Sequence, residues 1–485
     1  MLVDIITVLL LRNSFMMIPA LKKIALSSFL LVGTLSLSGC GSQSAKTEGY
    51  SVSLEMWGIF DDSAVYTTPI QEFLKLNPNV KTITYRKLPV ETYKEDLINA
   101  FAIGKGPDIF MIRNSWRGAF EDKTAPAPAT LISEQEYRNR MVDVAADDFI
   151  GTDNKIFGVP LSVDSLALYY NKDIFNIAGI ARPPETWDEV IADVRLLNSI
   201  DQFGTFTRSG IALGTGSNIN RSSDILTVLM MQLGADIGEG GQKKTVNFFG
   251  DGSKEAFDFY AQFSQVKSDV YSWNARQDYS LDAFYKGNLA MMVNYSYQYD
   301  AIKQKNAKLN IGVAPLPQFD KQAPVNLANY WGFAVAKNKP VEASAPVPNQ
   351  AAVPIDTEKR NAVRTFESWQ FLKFLTLVGN DKKMNMYNAL SGTSVEVPLV
   401  SDPTKVYLTT THKPAARRDL VAEQKDDIIL SPFAYGNLIA KNWYQGDSDA
   451  ADGILIDAID SVVRGEKSWQ GAFETAASRI NLLAR

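Results

Sequence analysis

The chain has 485 residues, 46% of them hydrophobic and 21% charged, which is the composition of a folded protein too long for one core. Its formal charge of −5 argues against a nucleic acid partner, because a phosphate-binding surface is basic. One cysteine and one histidine exclude an internal disulfide, a cysteine zinc cluster and a metal site of several histidines. We therefore expect at least two lobes and neither a metal nor a cofactor.

The pattern of charged, apolar and small residues in 1–40 indicates a secretory signal peptide. Lys22 and Lys23 form a positive region, and the apolar run at 24–37 is shorter than the ~20 residues of a membrane-spanning helix. Small residues then precede the single cysteine, and the ending Leu-Ser-Gly-Cys resembles the lipobox of bacterial lipoproteins. In such a signal Cys40 becomes the lipid-carrying first residue of the mature chain. The alternative is an uncleaved anchor with an incidental cysteine.

The segments on either side of this signal have different characters. Residues 1–16 do not fit a lipoprotein signal, and one interpretation is that translation starts at Met16 or Met17, so that they belong to no mature protein. After the cysteine, the Gly/Ser/Gln/Lys stretch at 41–49 is typical of a flexible tether.

From residue 51 the pattern alternates between strands and helices. A strand, SVSLEMW, precedes a helix that ends before Pro78, and VKTITYRKL is the next strand. A second helix ends near Gly104, and DIFMI follows as a third strand. This βαβαβ order predicts a mostly parallel sheet covered by helices, with ligands bound beyond the carboxyl ends of the strands.

Further strands and helices continue the alternation to the end of the chain. Asn171 is placed to cap a helix that Gly179 ends, and Thr186 opens another helix with a capping box. Gly287 separates a helix from the buried strand LAMMVNY, and NIGVAPLP and NYWGFAVAKN are later strands. The Pro- and Ala-rich stretch at 341–360 predicts a surface loop, and amphipathic helices follow it.

Catalytic motifs are missing from the sequence. There is no GxSxG nucleophile elbow and no GxxxxGK[ST] phosphate loop, so we predict that the protein is not an enzyme. The acidic stretch GDSDAADG at 446–453 hints at a calcium loop, but its glycine comes one residue late, which favours a solvated acidic loop. His412 has no catalytic setting and is expected at the surface.

Aromatic and polar residues gather where the predicted strands begin and end. Rings cover the C–H faces of a sugar, while carboxylates, amides and an arginine satisfy its hydroxyls, so this set favours a polyhydroxylated ligand. A structural role, capping a loop or packing between helices, is the alternative for each residue. The candidate ligand-binding residues are Trp57, Asp61, Asp62, Arg113, Asn114, Asp164, Asn294, Tyr297, Asn329 and Trp331.

The order of several motifs resembles that of the extracellular solute-binding proteins of ABC importers. The matching stretches are GKGPDIFMI, KIFGVPLSVDSLALYYNKDIFNIAGI, RPPETWDEV, FYKGNLAMMVNYSY, NIGVAPLP and NYWGFAVAKN. More narrowly, they resemble the family 1 carbohydrate receptors, to which maltose-binding protein belongs. The resemblance implies an α/β, two-lobed, type II periplasmic-binding-protein-like fold, with a multi-strand hinge. Lobe I would hold 50–161 and 314–378, and lobe II 162–313 and 379–485.

The resemblance also implies roles for individual residues. By motif position, the contacts of the first lobe would be Trp57, Asp61, Arg113 and Asn114. Asp164 matches a carboxylate near the hinge that bonds sugar hydroxyls, Tyr297 a stacking ring, and Trp331 a position that faces the cleft. The sequence departs from the family pattern in having Tyr-Trp-Gly and NYSY at two of these places, and ALSGTSVEVP stands where the family often has a proline-containing binding loop.

The expected function is that of a monomeric, lipid-anchored receptor on the outer face of the cell membrane. It would bind a sugar or oligosaccharide by hinge closure and deliver it to the permease subunits of an ABC importer, which a separate ATPase drives. One alternative keeps the receptor but changes the solute to a polyamine, an anion or a peptide. Another is a surface glycosidase that uses two of the carboxylates.

Overall fold

The structure is a computed structural model that describes residues 51–238, 245–337, 339, 356–443 and 445–483. Their helices and strands form two lobes, each built on a five-stranded sheet with its own apolar core. No helix of these residues is long and apolar enough to cross a membrane.

Three segments predicted from sequence fall wholly or mainly outside the described residues. They are the signal at 1–40 with its Cys40, the tether at 41–49, and most of the loop at 341–360. The last residues of that loop are described and are not a loop, because Asp356 caps the helix that starts at Thr357.

The strands are, in chain order, β1 Val52–Gly58, β2 Val80–Lys87, β3 Ile109–Arg113, β4 Thr124–Ala125, β5 Ala167–Asn171, β6 Ser199–Ile200, β7 Phe206–Ile211, β8 Leu289–Asn294, β9 Ile311–Pro315, β10 Asn326–Leu327, β11 Trp331–Ala336, β12 Lys383–Tyr387, β13 Ser394–Pro398 and β14 Ala440–Lys441. The helices are α1 Ser63–Leu76, α2 Tyr93–Ala102, α3 Arg117–Phe120, α4 Glu134–Arg140, α5 Asp143–Phe149, α6 Lys172–Ala178, α7 Trp187–Leu197, α8 Ser222–Gln232, α9 Ser253–Ala261, α10 Ser280–Tyr285, α11 Gln298–Lys305, α12 Thr357–Thr376, α13 Pro403–Thr411, α14 Arg418–Glu423, α15 Ser431–Gly436, α16 Ser448–Val463 and α17 Trp469–Leu483.

Both large sheets mix parallel and antiparallel strands. The first lobe has the order β2-β1-β3-β11-β4, in which β1 pairs in parallel with β2 and β3 while β11 runs antiparallel to β3 and β4. The second lobe has the order β6-β7-β8-β5-β9, in which only β7 and β8 are parallel. The prediction of mostly parallel sheets is therefore wrong, because β5 and β11 each follow a crossing from the other lobe and run against their neighbours.

Helix boundaries set by local sequence agree with the predictions. The Asn171 side chain accepts hydrogen bonds at the start of α6, and Gly179 ends it in a left-handed conformation with φ +72°. Thr186 caps α7 by accepting from the Glu189 N–H, and the Glu189 carboxylate accepts in turn from the Glu185 N–H. The second half of the predicted capping box thus reaches one residue further back than expected.

The C-terminal region divides between the two cores, which corrects the lobe boundaries expected from sequence. Met384, Leu399, Tyr407 and Leu420 pack in the core of the first lobe, although 379–485 was assigned to the second. Helix α13 packs against α1 and α12, whereas α16 and α17 pack in the second core. Amphipathic helices carry no signal of which core they cover, so this division was invisible in the sequence.

The stretch ALSGTSVEVP belongs to a two-stranded hairpin on the first lobe. Strands β12 and β13 pair antiparallel, and the turn between them closes through a hydrogen bond from the Asn388 N–H to the Thr393 carbonyl. The Asn388 side chain accepts from the Leu390 and Ser391 N–H groups, as in an Asx turn. The stretch that stands where the family often has a proline-containing binding loop is thus the turn and second strand of this hairpin.

In the described part of the chain, three segments run between the lobes, near residues 163–166, 327–328 and 440–443. Side-chain amides join these segments. The Asn326 amide accepts from the Leu166 N–H and donates to the Leu166 carbonyl, and the Asn437 amide donates to the Val163 carbonyl. Strands β10 and β14 also pair in parallel here. A Cβ on Gly436 would lie 2.4 Å from the Ser165 hydroxyl oxygen, so this close packing requires glycine.

Candidate ligand-binding cleft

Four aromatic rings line the end of the first-lobe sheet, and we call them the ring wall: Phe60, Tyr93, Trp116 and Trp331. Trp331 lies opposite Arg113 in the strand register, at the carboxyl end of β3. Its ring centroid lies 4.8 Å from that of Trp116 and 5.7 Å from that of Phe60, which is 46% exposed. The ring of Trp331 is therefore held on several sides and only partly covered.

Two buried hydrogen-bonding atoms beside the ring wall have no protein partner among the described residues. They are the Trp116 Nε1 and the Ser115 hydroxyl oxygen. Buried polar atoms in folded proteins are nearly always paired, so these two atoms are exceptions that call for a partner.

Two predicted ligand-binding residues, one on β1 and one just after it, interact with other side chains of the protein. The Trp57 side chain is buried, its Nε1 donates to the Glu55 carboxylate, and the Arg86 guanidinium lies 5.2 Å from its ring centroid. Asp62 is exposed and forms a 2.8 Å ion pair with Lys87. Neither side chain contacts the ring wall through a described hydrogen bond.

Asp61, a predicted sugar contact, is held in a buried network. Its carboxylate accepts from the hydroxyls of Tyr66 and Tyr407 at 3.0 and 2.8 Å and pairs with the Lys413 ammonium at 2.6 Å. Burial is the main cause that raises the pKa of both tyrosines, so the hydroxyls remain protonated donors. The network ties α1 to α13, which is a structural task.

Asn114 contacts a second buried carboxylate. Its amide donates to Asp148 at 3.0 Å, and the same carboxylate accepts from the Tyr330 hydroxyl at 2.8 Å and from the Asn442 amide. Burial raises the pKa of Asp148 to about 6, although its three donors oppose this shift. Asn114 therefore connects β3, α5 and the segment near residue 442.

On the second lobe, an arginine holds the exposed tyrosine that the sequence predicted to stack. The ring of Tyr297 is 49% exposed, and its hydroxyl accepts from the Arg221 Nη2 at 2.6 Å. The Arg221 guanidinium also lies 5.5 Å from the Tyr295 ring centroid, and the Tyr295 hydroxyl donates to Asp224. Arg221 adopts a left-handed backbone conformation, φ +65°, just before α8. Such strain in a residue other than glycine is frequent at functional sites.

Asp164 lies beside this tyrosine, between the two lobes. Its carboxylate accepts from both the N–H and the hydroxyl of Ser296, and its backbone carbonyl accepts from the Asn329 N–H at 3.0 Å. Burial raises the pKa of Asp164 to about 7. Asn294 is buried nearby, and its amide donates to Asn220 at 2.8 Å.

The acidic stretch at 446–453 forms the start of α16 and is not the loop expected from its sequence. The Asp447 carboxylate caps the helix by accepting from the Ala450 N–H, and its other oxygen accepts from Lys94 of the first lobe at 2.6 Å. No three histidine, cysteine, aspartate or glutamate side chains of the described part of the chain are placed to hold a metal ion.

Arg113 reaches across to the same helix. Its Nη1 donates to the Ser448 hydroxyl at 2.7 Å and to the Asp449 carboxylate at 3.0 Å. One turn further on, Asp452 accepts from the Ser223 hydroxyl at 3.0 Å. Burial raises the pKa of Asp452 to about 7, the neighbouring Asp224 adds to this, and Arg113 opposes it.

The structure thus brings some of the predicted residues together and separates others. The polar groups of Trp57, Asp61, Asp62 and Asn114 have partners within the first lobe, and those of Asn294 and Tyr297 have partners within the second. Arg113 bonds the second lobe, the Asn329 N–H bonds the Asp164 carbonyl next to two of the crossings, and Trp331 lies opposite Arg113 in the first sheet. Sequence reasoning missed Phe60, Lys94, Arg221, Asp224 and Asp452. Asp452 lies in the acidic stretch at 446–453, whose sequence favours a solvated loop, and Arg221 directly precedes a Ser-Ser helix start. No local motif marks the other three.

A separate depression of about 530 Å³ lies on the first lobe, away from these residues. It is lined by Asn380, Lys382, Ser401, Asp402, Lys405, Val406, Thr409 and Thr410.

Comparison with known proteins defines the class. Residues 58–381 match the family model described as bacterial extracellular solute-binding protein, and the chain belongs to that family. Two solved structures share its fold over most of their length. The cyclic alpha-maltosyl-1,6-maltose binding protein of Arthrobacter globiformis has a TM-score of 0.66 at 18% identity and covers 90% of this chain and 99% of its own. The sugar-binding protein MalE of Xanthomonas citri has a TM-score of 0.65 at 17% identity, covering 89% and 97%. The predicted α/β, two-lobed, type II periplasmic-binding-protein-like fold is confirmed.

Two sequence relatives differ in how much of the chain they match. A binding protein of Brucella abortus (strain 2308) is 26% identical over 247 residues, which are 50% of this chain and 56% of the relative. The chain thus matches about half the length of that relative. The sn-glycerol-3-phosphate-binding periplasmic protein UgpB of Salmonella typhimurium is 25% identical over 443 residues, 86% of this chain and 88% of its own.

Proposed function

We propose that the chain is the extracytoplasmic receptor of an ABC importer and that it binds a sugar or oligosaccharide between its lobes. The observation that carries this proposal is a pair of partly exposed aromatic surfaces, one on each lobe, with two unpaired hydrogen-bonding groups beside the surface of the first lobe. Tyr297 supplies the surface on the second lobe, and Trp331 with Phe60 supplies the one on the first.

The geometry suits a polyhydroxylated ring. The Tyr297 hydroxyl is fixed by Arg221, so its ring keeps one orientation, and Trp331 is held by its neighbours in the ring wall. Rigid rings cover the C–H faces of a sugar at low cost in conformational entropy. The Trp116 Nε1 and the Ser115 hydroxyl then offer hydrogen bonds to hydroxyl groups of the solute.

Solute binding would couple to closure of the lobes. Because the two aromatic surfaces belong to different lobes, a solute makes both sets of contacts only when the lobes are together. It therefore shifts the equilibrium by its greater affinity for the closed form. The closed form would then dock on the permease subunits in the membrane, and a separate ATPase would drive transport.

A second candidate solute is an anionic polyol. Arg221 directly precedes the N-terminus of α8, so that a guanidinium group and a helix N-terminus lie together on the second lobe. Guanidinium groups and helix N-termini bind phosphate well. UgpB, which aligns with most of the chain, is named for sn-glycerol-3-phosphate. The nearby carboxylates of Asp224 and Asp452 weigh against an anion.

Equilibrium titration by calorimetry distinguishes these solutes. The panel would contain mono- and oligosaccharides, sn-glycerol-3-phosphate, spermidine and a short peptide. We expect saturable binding of at least one sugar with one solute per chain. Tight binding of glycerol phosphate without any sugar would favour the second candidate, and binding of spermidine or the peptide alone would reject both. An assay for released reducing ends on the same oligosaccharides tests the glycosidase alternative, and we expect no turnover.

We also propose that a lipid on Cys40 anchors the receptor to the outer face of the membrane. Two or more acyl chains give stable attachment, and a tethered receptor stays concentrated near its transporter. Replacement by Cys40→Ser should release the protein into the medium or leave its precursor unprocessed, as measured by cell fractionation. A Cys40→Ser chain that remains membrane-bound and normally cleaved would contradict the lipobox interpretation.

A further inference from the structure

The two lobes are joined across the cleft by two cations of the first lobe. Lys94 on α2 pairs with Asp447, and Arg113 at the end of β3 bonds Ser448 and Asp449. We propose that these five residues form an interlobe latch, which holds the lobes together without solute and so raises solute affinity without touching the solute. This inference rests on the proposed function, in which the lobes open and close.

The acceptor side of the latch is preformed. One oxygen of the Asp447 carboxylate caps α16 through the Ala450 N–H, which leaves the other oxygen aimed at the Lys94 ammonium. Helix α16 packs on α8 and α17 in the core of the second lobe. Its first turn, which carries Ser448 and Asp449, therefore moves with the second lobe when the two lobes separate. The latch contacts therefore exist only in the closed arrangement.

The donor side of the latch adjoins the ring wall. The Lys94 ammonium lies 5.3 Å from the Trp116 ring centroid, and Trp116 packs against Trp331. Arg113 lies opposite Trp331 in the strand register. Opening the latch thus moves the same surface that would contact a sugar. This assigns Arg113 as a positioning residue, because its Nη1 already bonds the second lobe.

The size of the effect follows from solvent exposure. Lys94 and Asp447 are 30% and 37% exposed, whereas Arg113 is 13% and Asp449 is 75% exposed. Partly exposed ion pairs shift an equilibrium by about twofold to fivefold each. At about 1 M salt the screening length falls to about 3 Å, so these attractions weaken. A latch of this strength shifts the equilibrium between the open and closed forms only slightly, so solute binding still determines which form predominates.

Two variants remove the latch ion pair without removing the side-chain cap of α16. Asp447→Asn removes the charge but keeps a good helix cap, and Lys94→Gln removes the cation. The matched control is Lys286→Gln, which breaks a 2.6 Å ion pair with Asp278 inside the second lobe. Residues Asp278 and Lys286 flank α10 and do not bridge the lobes.

Closure is measured without solute, by the distance between two spin labels. The exposed residues Ala64 on the first lobe and Ala275 on the second carry the labels as Ala64→Cys and Ala275→Cys, in the full chain with Cys40→Ser. We expect the ratio of short to long distances to fall about twofold to fivefold in Lys94→Gln and in Asp447→Asn at low salt. At about 1 M salt the parent should approach these variants, and Lys286→Gln should match the parent.

Because each single variant breaks the same contact, the double variant should lower the ratio no further than either single one. Equal distance distributions in the parent, Lys94→Gln and Asp447→Asn would overturn the latch, as would a loss in Lys286→Gln of the same size. The measurement needs no solute, so a failure to bind sugars would refute the proposed function and leave the latch supported.

Discussion

Asp61 of the first lobe differs from Asp164 and Asp452 in the partners that hold its carboxylate. In the first lobe, the Asp61 carboxylate is neutralised by the Lys413 ammonium and accepts two tyrosine hydroxyls. In the second lobe, Asp164 and Asp452 accept from serine hydroxyls, and burial raises the pKa of each to about 7. A carboxylate paired with a lysine is committed to the structure, whereas one held by a serine can exchange partners with a solute hydroxyl. We infer that Asp164 and Asp452 are better candidates for contact with a solute than Asp61.

The strongest test of this contrast is Asp61→Asn. It would leave the Lys413 ammonium, 27% exposed, without its carboxylate, and we expect a loss of about 3 kcal/mol in the free energy of unfolding. Urea unfolding measures this. Asp62→Asn, next to it and exposed, is the control and should cost less than about 0.5 kcal/mol. Unchanged stability with lost solute affinity would instead support the direct contact that the sequence implied for Asp61.

The next effect concerns the exposed ring of the second lobe. Tyr297→Ala removes a stacking surface that Arg221 holds in place, and we expect the Kd for the bound sugar to rise about 30-fold. Calorimetric titration gives this value. Phe203→Ala removes another exposed ring of the same lobe, outside the cleft, and should leave the Kd unchanged. Equal affinities in Tyr297→Ala and the parent would remove this ring from the site.

A smaller effect is the pH dependence of stability. For Asp452 the folded pKa, about 7, lies above the ordinary value of 3.8, so its contribution is full below about pH 4 and is lost as pH rises through 7. The free energy of unfolding of the parent should fall between pH 4 and 8, and in Asp452→Asn this fall should be smaller by about 1–3 kcal/mol. Urea unfolding at each pH measures it. Asp164 titrates in the same direction and should preserve part of the slope.

Asp457→Asn serves as the control for this measurement. Asp457 lies on the same helix but its side chain is 74% exposed, so its replacement should leave the pH dependence unaltered. A slope that stays the same in Asp452→Asn would contradict a buried carboxyl with a raised pKa.

Local signals in the sequence predicted local structure well. The cap at Asn171, the stop at Gly179 and the cap at Thr186 depend on residues within a few positions, and all three are confirmed. The same reasoning placed His412 at the surface, where it is exposed. Such predictions succeed because caps and turns are decided by short-range hydrogen bonds.

Long-range pairing could not be predicted in the same way. Asp61 and Lys413 are 352 positions apart, and no pattern around either residue points to the other. Strand direction failed for a related reason, since β5 and β11 follow crossings between lobes that hydrophobic patterning does not reveal. The left-handed backbone of Arg221 also had no signal in the sequence, because glycine is the usual residue in that conformation.

The central claim is that a sugar binds between Tyr297 of the second lobe and Trp331 of the first. A crystal structure of the protein with the sugar that binds in the titration tests it most directly. We predict a sugar ring within about 4–5 Å of one or both of these aromatic rings, with a hydroxyl on the Trp116 Nε1. A sugar found in the depression between Lys382 and Lys405, with Tyr297 and Trp331 both uncovered, would contradict the account.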